Sequence, residues 1–295
     1  MPSVSPPGAA GPGGLPRPRS EAGRAGLAAL LRAPGRALIA LDYDGTLAPI
    51  VPDPMAARPH PGAAAALRRL APLAGTLAVI TGRPAAEAVA IGGLDQVPGL
   101  IVLGSYGRQR WEAGRLTAPP APAGVATARR ELPAVLEAAR APEGTWAEDK
   151  GDALAVHTRL TADPQLALDR LRGPLADLAA RTGLAVQPGR LVIELRPPGG
   201  DKGVALKDLR TERGSAAVLY CGDDLGDRPA FEAVAELRGE GIACLAVCSG
   251  SQEVMALAEL ADLVVDGPDG VAALLDALAT AMGVAVRLLP GGGTG

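Results

Sequence analysis

Short apolar runs alternate along the chain with segments in which apolar residues recur at helical spacing. Runs that are apolar on both faces, separated by amphipathic helices, are typical of a parallel sheet that is covered by helices on its two sides. The predicted strands are Ala37–Leu41, Leu77–Ile80, Leu100–Leu103, Ala216–Tyr220, Ile242–Val247 and Leu263–Val265. The predicted helices between them are Gly62–Leu73, Pro84–Ile91, Lys202–Arg210, Pro229–Arg238 and Val254–Leu260. The pattern therefore predicts an α/β protein with a Rossmann-like parallel-sheet core.

The stretch 111–198 departs from this pattern, because alternating strand segments surround one predicted helix at Pro164–Arg181. We predict that it forms an inserted α+β domain, which divides the core into residues 25–110 and 199–288. A main domain with a smaller one also suits a chain of 295 residues, since single cores stop growing at about 250–300 residues.

Two predicted strands of the inserted domain carry polar residues on one face. Period-two alternation over Ala153–Leu160 places His157 and Arg159 on the same face. In Leu191–Arg196 the same alternation places Glu194 on one face with Val192 and Arg196, whereas Leu191, Ile193 and Leu195 are on the other. One face of the inserted domain is therefore available to a polar ligand.

Composition and charge exclude several classes of function. The net charge is −3 and the chain has no block of basic residues, so nucleic acid is not expected as a partner. No uncharged apolar run approaches about 18 residues, so no membrane span is predicted. The three cysteines lack the paired spacing of a zinc site, which favours reduced, buried thiols in a cytoplasmic protein. We expect a soluble monomer with two flexible tails: 1–24, which is rich in Pro, Gly and Ala, and 289–295, which is mostly glycine.

Polar side chains follow three of the predicted strands at their carboxyl ends, where an open α/β sheet binds its ligands. These residues are Asp42, Asp44, Thr81, Arg83, Asp223, Asp224 and Asp227. Several carboxylates at one edge repel each other unless a cation is present, and an all-oxygen set suits a hard ion such as Mg²⁺. A calcium-binding loop is excluded because the fourth residue counted from Asp42 is Gly45 and the twelfth is Asp53 instead of Glu.

Each of these features taken singly has an ordinary structural alternative. Asp-x-Asp-Gly sequences also form turns. Thr81 also suits the cap of the helix predicted near Pro84, and Lys202 suits the solvated first turn of a helix that Asp201 caps. A carboxylate beside a phosphoryl group acts as a nucleophile if a metal offsets the repulsion between them. The single motifs leave phosphoryl chemistry and plain turn or cap roles both open.

In their order along the chain, the motifs resemble those of the haloacid-dehalogenase-like phosphatase superfamily: Asp42–Thr46, Thr81, Lys202 and Gly222–Asp224. The resemblance implies a Rossmann-like core, an inserted cap that closes over the substrate, and an aspartyl-phosphate intermediate. It implies that Asp42 is the nucleophile. Asp44 would protonate the leaving oxygen and later deprotonate the attacking water.

The same resemblance assigns residues to Mg²⁺ and to the phosphoryl group. The residues implied to hold Mg²⁺ are Asp42, Asp44 through its backbone carbonyl and Asp223, with Asp224 and Asp227 as outer or alternate contacts. Thr81 and Lys202 are implied to bind the phosphoryl oxygens, where a hydroxyl and a fixed positive charge stabilise the transition state.

Within that superfamily the chain is similar to the trehalose-6-phosphate phosphatase family from Leu38 to about Leu275. The motifs that carry this similarity are Leu41–Ile50, Thr81–Arg83, Glu148–Lys150, His157–Arg159, Glu194–Pro197, Asp201–Gly203 and Gly222–Asp224. The similarity implies hydrolysis of trehalose 6-phosphate to trehalose and phosphate in trehalose biosynthesis, and functional coupling to a trehalose-phosphate synthase. The residues implied to contact the disaccharide or its phosphate are Arg83, Lys150, His157, Arg159 and Glu194.

Two positions depart from the family's pattern. Tyr106 stands in a Ser-Tyr-Gly turn where many members have histidine, and Gly226–Arg228 replaces a common Asp-Glu pair while keeping Asp227. Three other functions remain open: a phosphatase of another sugar phosphate such as sucrose phosphate, a phosphomutase, and a catalytically silent relative that binds phosphosugar for regulation. The presence of Asp42, Asp44 and Lys202 favours an enzyme.

Overall fold

The structure is a computed structural model that describes residues 14–120, 123–189, 191–250 and 255–288. The predicted tail at 289–295 and the first thirteen residues of the predicted tail at 1–24 lie outside the described residues. The chain divides into two compact units, a core unit of Met1–Thr117 with Asp201–Gly295 and an inserted unit of Ala118–Gly200.

The core unit contains one sheet of eight strands. Its strands are β1 (Ala37–Leu41), β2 (Thr76–Ile80), β3 (Ile101–Gly104), β4 (Gln109–Glu112), β5 (Arg115–Thr117), β10 (Ala217–Gly222), β11 (Ala243–Gly250) and β12 (Leu263–Asp266). Their order across the sheet is β12-β11-β10-β1-β2-β3-β4-β5. The strands from β12 to β3 are parallel, and β4 and β5 continue the sheet in antiparallel pairing.

Helices cover both faces of this sheet. They are α1 (Glu21–Arg32), α2 (Pro61–Leu70), α3 (Ala85–Gly92), α6 (Lys202–Arg213), α7 (Arg228–Gly239), α8 (Met255–Leu260) and α9 (Gly267–Leu288). Alternate residues of β1 enter different apolar layers: Ile39 packs in the layer that contains Leu67 and Leu275, whereas Leu38 packs with Leu206 and Phe231. Because both faces are buried, the strands are continuous apolar runs. The predicted α/β core is confirmed.

The segment before β1 is part of the fold. Leu15 is buried in the core, and Ser20 caps α1 by accepting a hydrogen bond of 2.8 Å from the backbone N–H of Gly23. Residues 14–24 therefore belong to the core unit, whereas the sequence predicted a flexible tail up to residue 24. The reason is that one buried leucine and a helix cap anchor a segment whose composition is otherwise that of a loop.

By length and composition alone, α9 is apolar enough to cross a membrane. The apolar pattern of the sequence did not predict this helix. Core helices pass the same test, and α9 buries Val271, Leu274, Leu278 and Met282 in the apolar layer that also contains α2. The buried apolar residues of α9 are thus explained by packing in the core, whereas Val284, Val286 and Leu288 near its end are exposed.

The start of the inserted domain differs from the prediction. Trp111 of β4 pairs with Val102 of β3 and with Leu116 of β5, so a boundary at 111 falls within the core sheet. The compact inserted unit begins at Ala118. The polar, alternating strands β4 and β5 differ from the buried runs of the core because they lie at the edge of the sheet.

The inserted unit has a four-stranded antiparallel sheet with the order β6-β7-β9-β8. Its elements are α4 (Ala123–Ala138), β6 (Trp146–Asp149), β7 (Leu154–His157), α5 (Pro164–Thr182), β8 (Ala185–Gly189) and β9 (Val192–Arg196). Val156 and Ile193 pack with Leu171 of α5 in one apolar cluster, so the helices cover one face of this sheet. The opposite face carries polar residues.

Candidate active site

The carboxyl ends of β1 and β10 bring three carboxylates together. Asp42 directly follows β1, and its backbone N–H donates to the Cys221 carbonyl of the neighbouring strand at 2.8 Å. Asp223 directly follows β10, and Asp227 lies one turn later. All three are buried, and each offers a carboxylate oxygen such that these atoms lie within 4.8 Å of one another.

Lys202 places a positively charged ammonium group against this cluster. It occupies the first turn of α6, which Asp201 caps by accepting from the Val204 N–H at 2.8 Å. The ammonium Nζ lies 2.7 Å from Asp42 Oδ1 and 2.7 Å from Asp227 Oδ1. Burial opposes the charge of Lys202, but Asp227 and Asp42 outweigh it and raise its pKa. The side chain is therefore a fixed positive charge and not a solvated first-turn lysine.

Asp227 is held by hydrogen bonds to both of its oxygens. Oδ1 accepts from Lys202 and from the Tyr220 hydroxyl at 2.5 Å. Oδ2 accepts from the backbone N–H of Asp223 at 2.9 Å and of Asp224 at 3.2 Å. A carboxylate with four donors is largely satisfied, so Asp227 fixes the loop after β10 and the position of Lys202.

Asp223 is the member of the cluster with a free ligand atom. Its Oδ1 is buried and has no hydrogen-bond partner among the residues that the structure describes. Burial, together with Asp42 and Asp227, raises the pKa of Asp223 to about 10, and burial also raises the pKa of Asp42 despite Lys202. Such carboxylates stay ionised only beside additional positive charge. The residues therefore fit a divalent cation bound by Asp42 and Asp223.

Gly45 allows the loop after β1 to approach Asp223. Its φ is +74°, and a Cβ at this position would lie 1.9 Å from Asp223 Oδ2. Only glycine meets both the conformational and the steric requirement. Farther along, Ser249 of β11 donates to the Gly45 carbonyl at 2.7 Å and fixes the same turn.

Asp44 is bound by Arg83 through two parallel hydrogen bonds. Arg83 Nε donates to Asp44 Oδ2 and Nη2 donates to Asp44 Oδ1, both at 2.7 Å. Nη1 donates to Glu87 of α3 at 2.8 Å. Burial disfavours the guanidinium charge, but the hydrogen bonds that Arg83 donates to Asp44 and Glu87, with the negative charges of these carboxylates, outweigh it and raise the pKa of Arg83. In this structure Arg83, predicted to contact substrate, contacts the carboxylate predicted to be the acid.

Thr81 lies buried in the turn that follows β2. Its hydroxyl accepts from the Arg83 N–H at 3.2 Å, and its carbonyl accepts from the Tyr106 N–H at 3.0 Å. The hydroxyl proton can still be donated to an anion. Tyr106 has a φ of +57°, unusual for a residue with a bulky side chain. The loops after β2 and β3 are thus joined by backbone hydrogen bonds at the same edge of the sheet.

Asp224 has a different environment from its neighbour Asp223. It is exposed, and its Oδ1 accepts from the Gly226 N–H at 2.8 Å, which caps a single 3-10 turn. Asp224 is thus the neighbour of Asp223 in the sequence, but its side chain caps a turn and does not belong to the buried carboxylate cluster.

In the inserted unit, the predicted residues form two polar contacts on the open face of the sheet. Lys150 Nζ lies 2.8 Å from Glu194 Oε2, and Glu194 is nearly buried. His157 Nε2 lies 2.9 Å from Glu148 Oε2, and its Nδ1 lies 3.2 Å from Arg159 Nη2. The strand register places Ala155 between Glu148 and Glu194, so these side chains share one face.

Trp146 lies on the same face and was not among the predicted site residues. Its ring stacks on His157, with the centroids 3.9 Å apart and the planes 10° from parallel. Its spacing of two residues from Glu148 was the signal that could have identified it. Glu87, which follows Arg83 by one helical turn, and Tyr220 were also missed. Their roles depend on contacts that alternation and motif order do not predict.

A family model described as Trehalose-phosphatase matches residues 40–263. The chain is 38% identical over 220 residues to an uncharacterized glycosyl hydrolase of Mycobacterium tuberculosis, an alignment that covers 70% of this chain and 16% of that protein. It is 36% identical over 213 residues to the trehalose-phosphate phosphatase of Mycobacterium marinum, covering 68% of this chain and 52% of the relative. The chain thus spans about half the length of the second relative and much less of the first.

Among solved structures, the C-terminal domain of the Candida albicans trehalose-6-phosphate phosphatase is similar in fold. Its TM-score is 0.74 at 23% identity, and the alignment covers 90% of this chain and 98% of that domain. At this level of identity the likeness supports the architecture alone.

Proposed function

The chain belongs to the trehalose-phosphatase family, and from this premise we propose that it is a Mg²⁺-dependent phosphatase that converts trehalose 6-phosphate to trehalose and phosphate. The reaction would pass through an aspartyl phosphate on Asp42. The observation that carries the proposal is the buried group of Asp42, Asp223 and Lys202, in which Asp223 Oδ1 has no hydrogen-bond partner among the described residues.

The chemistry of these residues is suited to phosphoryl transfer in two steps. In the first step, a carboxylate oxygen of Asp42 bonds to phosphorus while the bond from phosphorus to the sugar oxygen breaks. Asp44 donates its proton to that oxygen, and trehalose leaves. In the second step, water attacks the phosphorus, Asp44 accepts the proton of the water, and the acyl phosphate is cleaved to inorganic phosphate and free Asp42.

Lys202 and Thr81 serve both steps. Lys202 Nζ already lies 2.7 Å from the nucleophilic carboxylate, so its charge is placed where the phosphoryl oxygens approach. Asp227 holds the same ammonium from the other side at 2.7 Å and so fixes its position beside Asp42. The Thr81 hydroxyl supplies a donor from the adjacent loop.

Asp42, the Asp44 backbone carbonyl and Asp223 would hold Mg²⁺, which supplies the positive charge that offsets repulsion between the nucleophile and the phosphoryl group. The acidic oxygen donors suit this hard cation better than zinc or copper. Neither cysteine nor histidine is part of the cluster.

Recognition of the sugar is assigned to the open polar face of the inserted unit. Lys150, His157, Arg159 and Glu194 combine donors and acceptors that match sugar hydroxyls, and the flat ring of Trp146 suits the apolar face of a pyranose. If the preferred substrate were another sugar phosphate, the hydroxyls of that sugar would match the donors and acceptors of this face better than those of trehalose. A silent regulatory relative is disfavoured, because Asp42, Asp44, Asp223 and Lys202 are all present.

A phosphate-release screen with Mg²⁺ tests substrate and reaction together. The substrates are trehalose 6-phosphate, sucrose 6-phosphate, glucose 6-phosphate and mannose phosphates. We expect the highest kcat/KM on trehalose 6-phosphate. Preference for a different sugar phosphate would reassign the substrate, whereas binding without phosphate release from any of them would support a regulatory role.

A further inference from the structure

Arg83 has donors committed to carboxylates on two sides. Its Nε and Nη2 form a fork with both oxygens of Asp44, and Nη1 reaches Glu87. Only 9% of the side chain is exposed. The guanidinium carbon also lies 5.4 Å from the centroid of the Tyr43 ring, which is itself buried. A side chain with these contacts is poorly placed to bind a substrate that arrives from solvent.

Asp44 differs from Arg83 in its access to solvent. Its side chain is 38% exposed. A carboxylate offers about four acceptor positions, and the fork occupies one on each oxygen. The remaining positions can meet an incoming oxygen while the guanidinium holds the carboxylate plane.

The fork is itself anchored at both ends. Glu87 in the first turn of α3 holds the far nitrogen of Arg83, which lies four residues earlier in the turn before the helix. On the other side, Tyr43 is fixed by donating its hydroxyl proton to the Ala57 carbonyl at 2.9 Å. Asp44 therefore receives its orientation from three elements: the loop after β1, the turn after β2 and α3.

We propose that Arg83 is a positioning residue for Asp44, which it holds ready to exchange a proton with the leaving oxygen, and that it does not bind substrate. This inference rests on the proposed function, in which Asp44 is the acid of the first step. It deepens that function, because it assigns a residue outside the motif of Asp42 and Asp44 to leaving-group protonation.

The role has a chemical signature that a structural role lacks. Protonation matters most when the leaving oxygen is strongly basic and least when it is weakly basic. Phenyl phosphate and 4-nitrophenyl phosphate differ little in size, but phenolate is the more basic leaving group. A residue that positions the acid should affect the first substrate much more than the second.

The experiment measures kcat and KM on both aryl phosphates with Mg²⁺ for wild type, Arg83→Ala, Asp44→Asn and the double variant. We expect each single change to lower kcat/KM on phenyl phosphate by about 30- to 100-fold, and on 4-nitrophenyl phosphate by less than about 5-fold. The ratio kcat/KM is compared because it reports the step that releases the leaving group, whereas hydrolysis of the aspartyl phosphate, in which Asp44 is the base, is common to both substrates. The double variant should lose no more than Asp44→Asn alone, because both changes remove the same step. Arg69→Ala, which removes a half-exposed arginine from α2, is the matched control and should change neither rate.

Two further variants keep the test valid if Arg83→Ala does not fold. Arg83→Lys retains the charge without the two parallel bonds, and Glu87→Gln weakens the outer anchor. Both variants should lose more activity on phenyl phosphate than on 4-nitrophenyl phosphate, and their losses should be smaller than those of Arg83→Ala.

The outcomes separate this inference from the proposed function. Equal losses on the two aryl phosphates, or a raised KM for trehalose 6-phosphate with unchanged kcat, overturn the positioning role while the wild type remains an active phosphatase. Additive losses in the double variant overturn it as well. A wild type that hydrolyses neither the aryl phosphates nor any sugar phosphate overturns the proposed function, and the inference with it.

Discussion

The ammonium of Lys202 lies 2.7 Å from Asp42 Oδ1, and both side chains are almost completely buried. Asp227 holds the same ammonium from the other side at 2.7 Å. Loss of the Asp42 charge therefore does not leave Lys202 without a counter-charge. This arrangement makes it possible to remove the nucleophile without unfolding the protein.

We predict that Asp42→Asn abolishes turnover and leaves the fold intact. The amide is nearly the same size but lacks the anionic oxygen that attacks phosphorus. Because burial raises the pKa of Asp42, the neutral side chain should cost little stability. The measurements are phosphate release and Tm, with Asp276→Asn on the surface of α9 as the control. Near-normal turnover by pure Asp42→Asn protein would rule out the aspartyl phosphate.

Gly45 and Gly99 form a matched pair for testing how closely the loop after β1 must approach Asp223. Both have positive φ, +74° and +69°, but a Cβ at Gly99 meets nothing within 4 Å, whereas a Cβ at Gly45 meets Asp223 Oδ2 at 1.9 Å. We expect Gly99→Ala to lower stability by about 1 kcal/mol without changing kcat, because only backbone strain is added.

Gly45→Ala should lower kcat by at least about 100-fold, because it displaces by about an ångström a carboxylate that we propose to hold Mg²⁺. Its Mg²⁺ affinity, measured by calorimetry, should fall in parallel. If Gly45→Ala and Gly99→Ala behaved alike in kcat and Mg²⁺ affinity, Asp223 would not need its present position.

Binding of Mg²⁺ is expected to strengthen as the pH rises. In the metal-free protein the pKa of Asp223 is raised to about 10, far above its ordinary value of 3.8. Between these two values the folded protein holds a proton that the unfolded chain has released, so the free energy of unfolding of the metal-free protein falls as pH increases. A bound cation must displace this proton.

The increase in Tm caused by Mg²⁺ should therefore be larger at about pH 8.5 than at about pH 6, and calorimetry in buffers of different ionisation enthalpy should detect proton release. Asp223→Asn should remove both effects. Chelation should silence the wild type and added Mg²⁺ should restore it. An affinity for Mg²⁺ that is constant over this pH range would show that Asp223 is not the group displaced.

Glu194→Ala should separate sugar recognition from phosphate chemistry. The change removes the acceptor that holds Lys150 at 2.8 Å and, in the proposed complex, an acceptor for a sugar hydroxyl. We expect kcat/KM on trehalose 6-phosphate to fall by the equivalent of about 1–3 kcal/mol, with a smaller loss on 4-nitrophenyl phosphate. The control is Glu131→Ala, a surface carboxylate on α4 of the same unit. Proportional losses on the two substrates would place Glu194 in the catalytic or structural machinery.

Much of the core could be predicted from local pattern. Strand β1 was predicted with its observed bounds, Ala37–Leu41, because a strand that is buried on both faces is a continuous apolar run whose ends are marked by polar residues. The same reasoning located Asp42 and Asp223, since residues that follow parallel strands meet at one edge of the sheet. Motif order then identified the family.

The roles of individual carboxylates required the tertiary structure. Asp223 and Asp227 are both acidic residues after β10. Asp223 has a buried oxygen without a partner among the described residues, whereas Asp227 accepts hydrogen bonds from four donors. Arg83 follows a strand end like the other site residues, but its contacts are with Asp44 and Glu87. Which donor bonds to which oxygen depends on how separate elements of the folded chain are placed relative to one another.

The edges of the fold were also beyond the sequence pattern. Leu15 is a single apolar residue in a segment rich in proline and glycine, and it is buried because it packs in a core cluster formed by residues distant in the sequence. Strands β4 and β5 alternate like those of the inserted unit, and only their pairing with Val102 of β3 places them in the core sheet. Periodicity reports which faces of a segment are buried. It carries no information on the partner that buries them, because that partner is brought close by the folding of the whole chain.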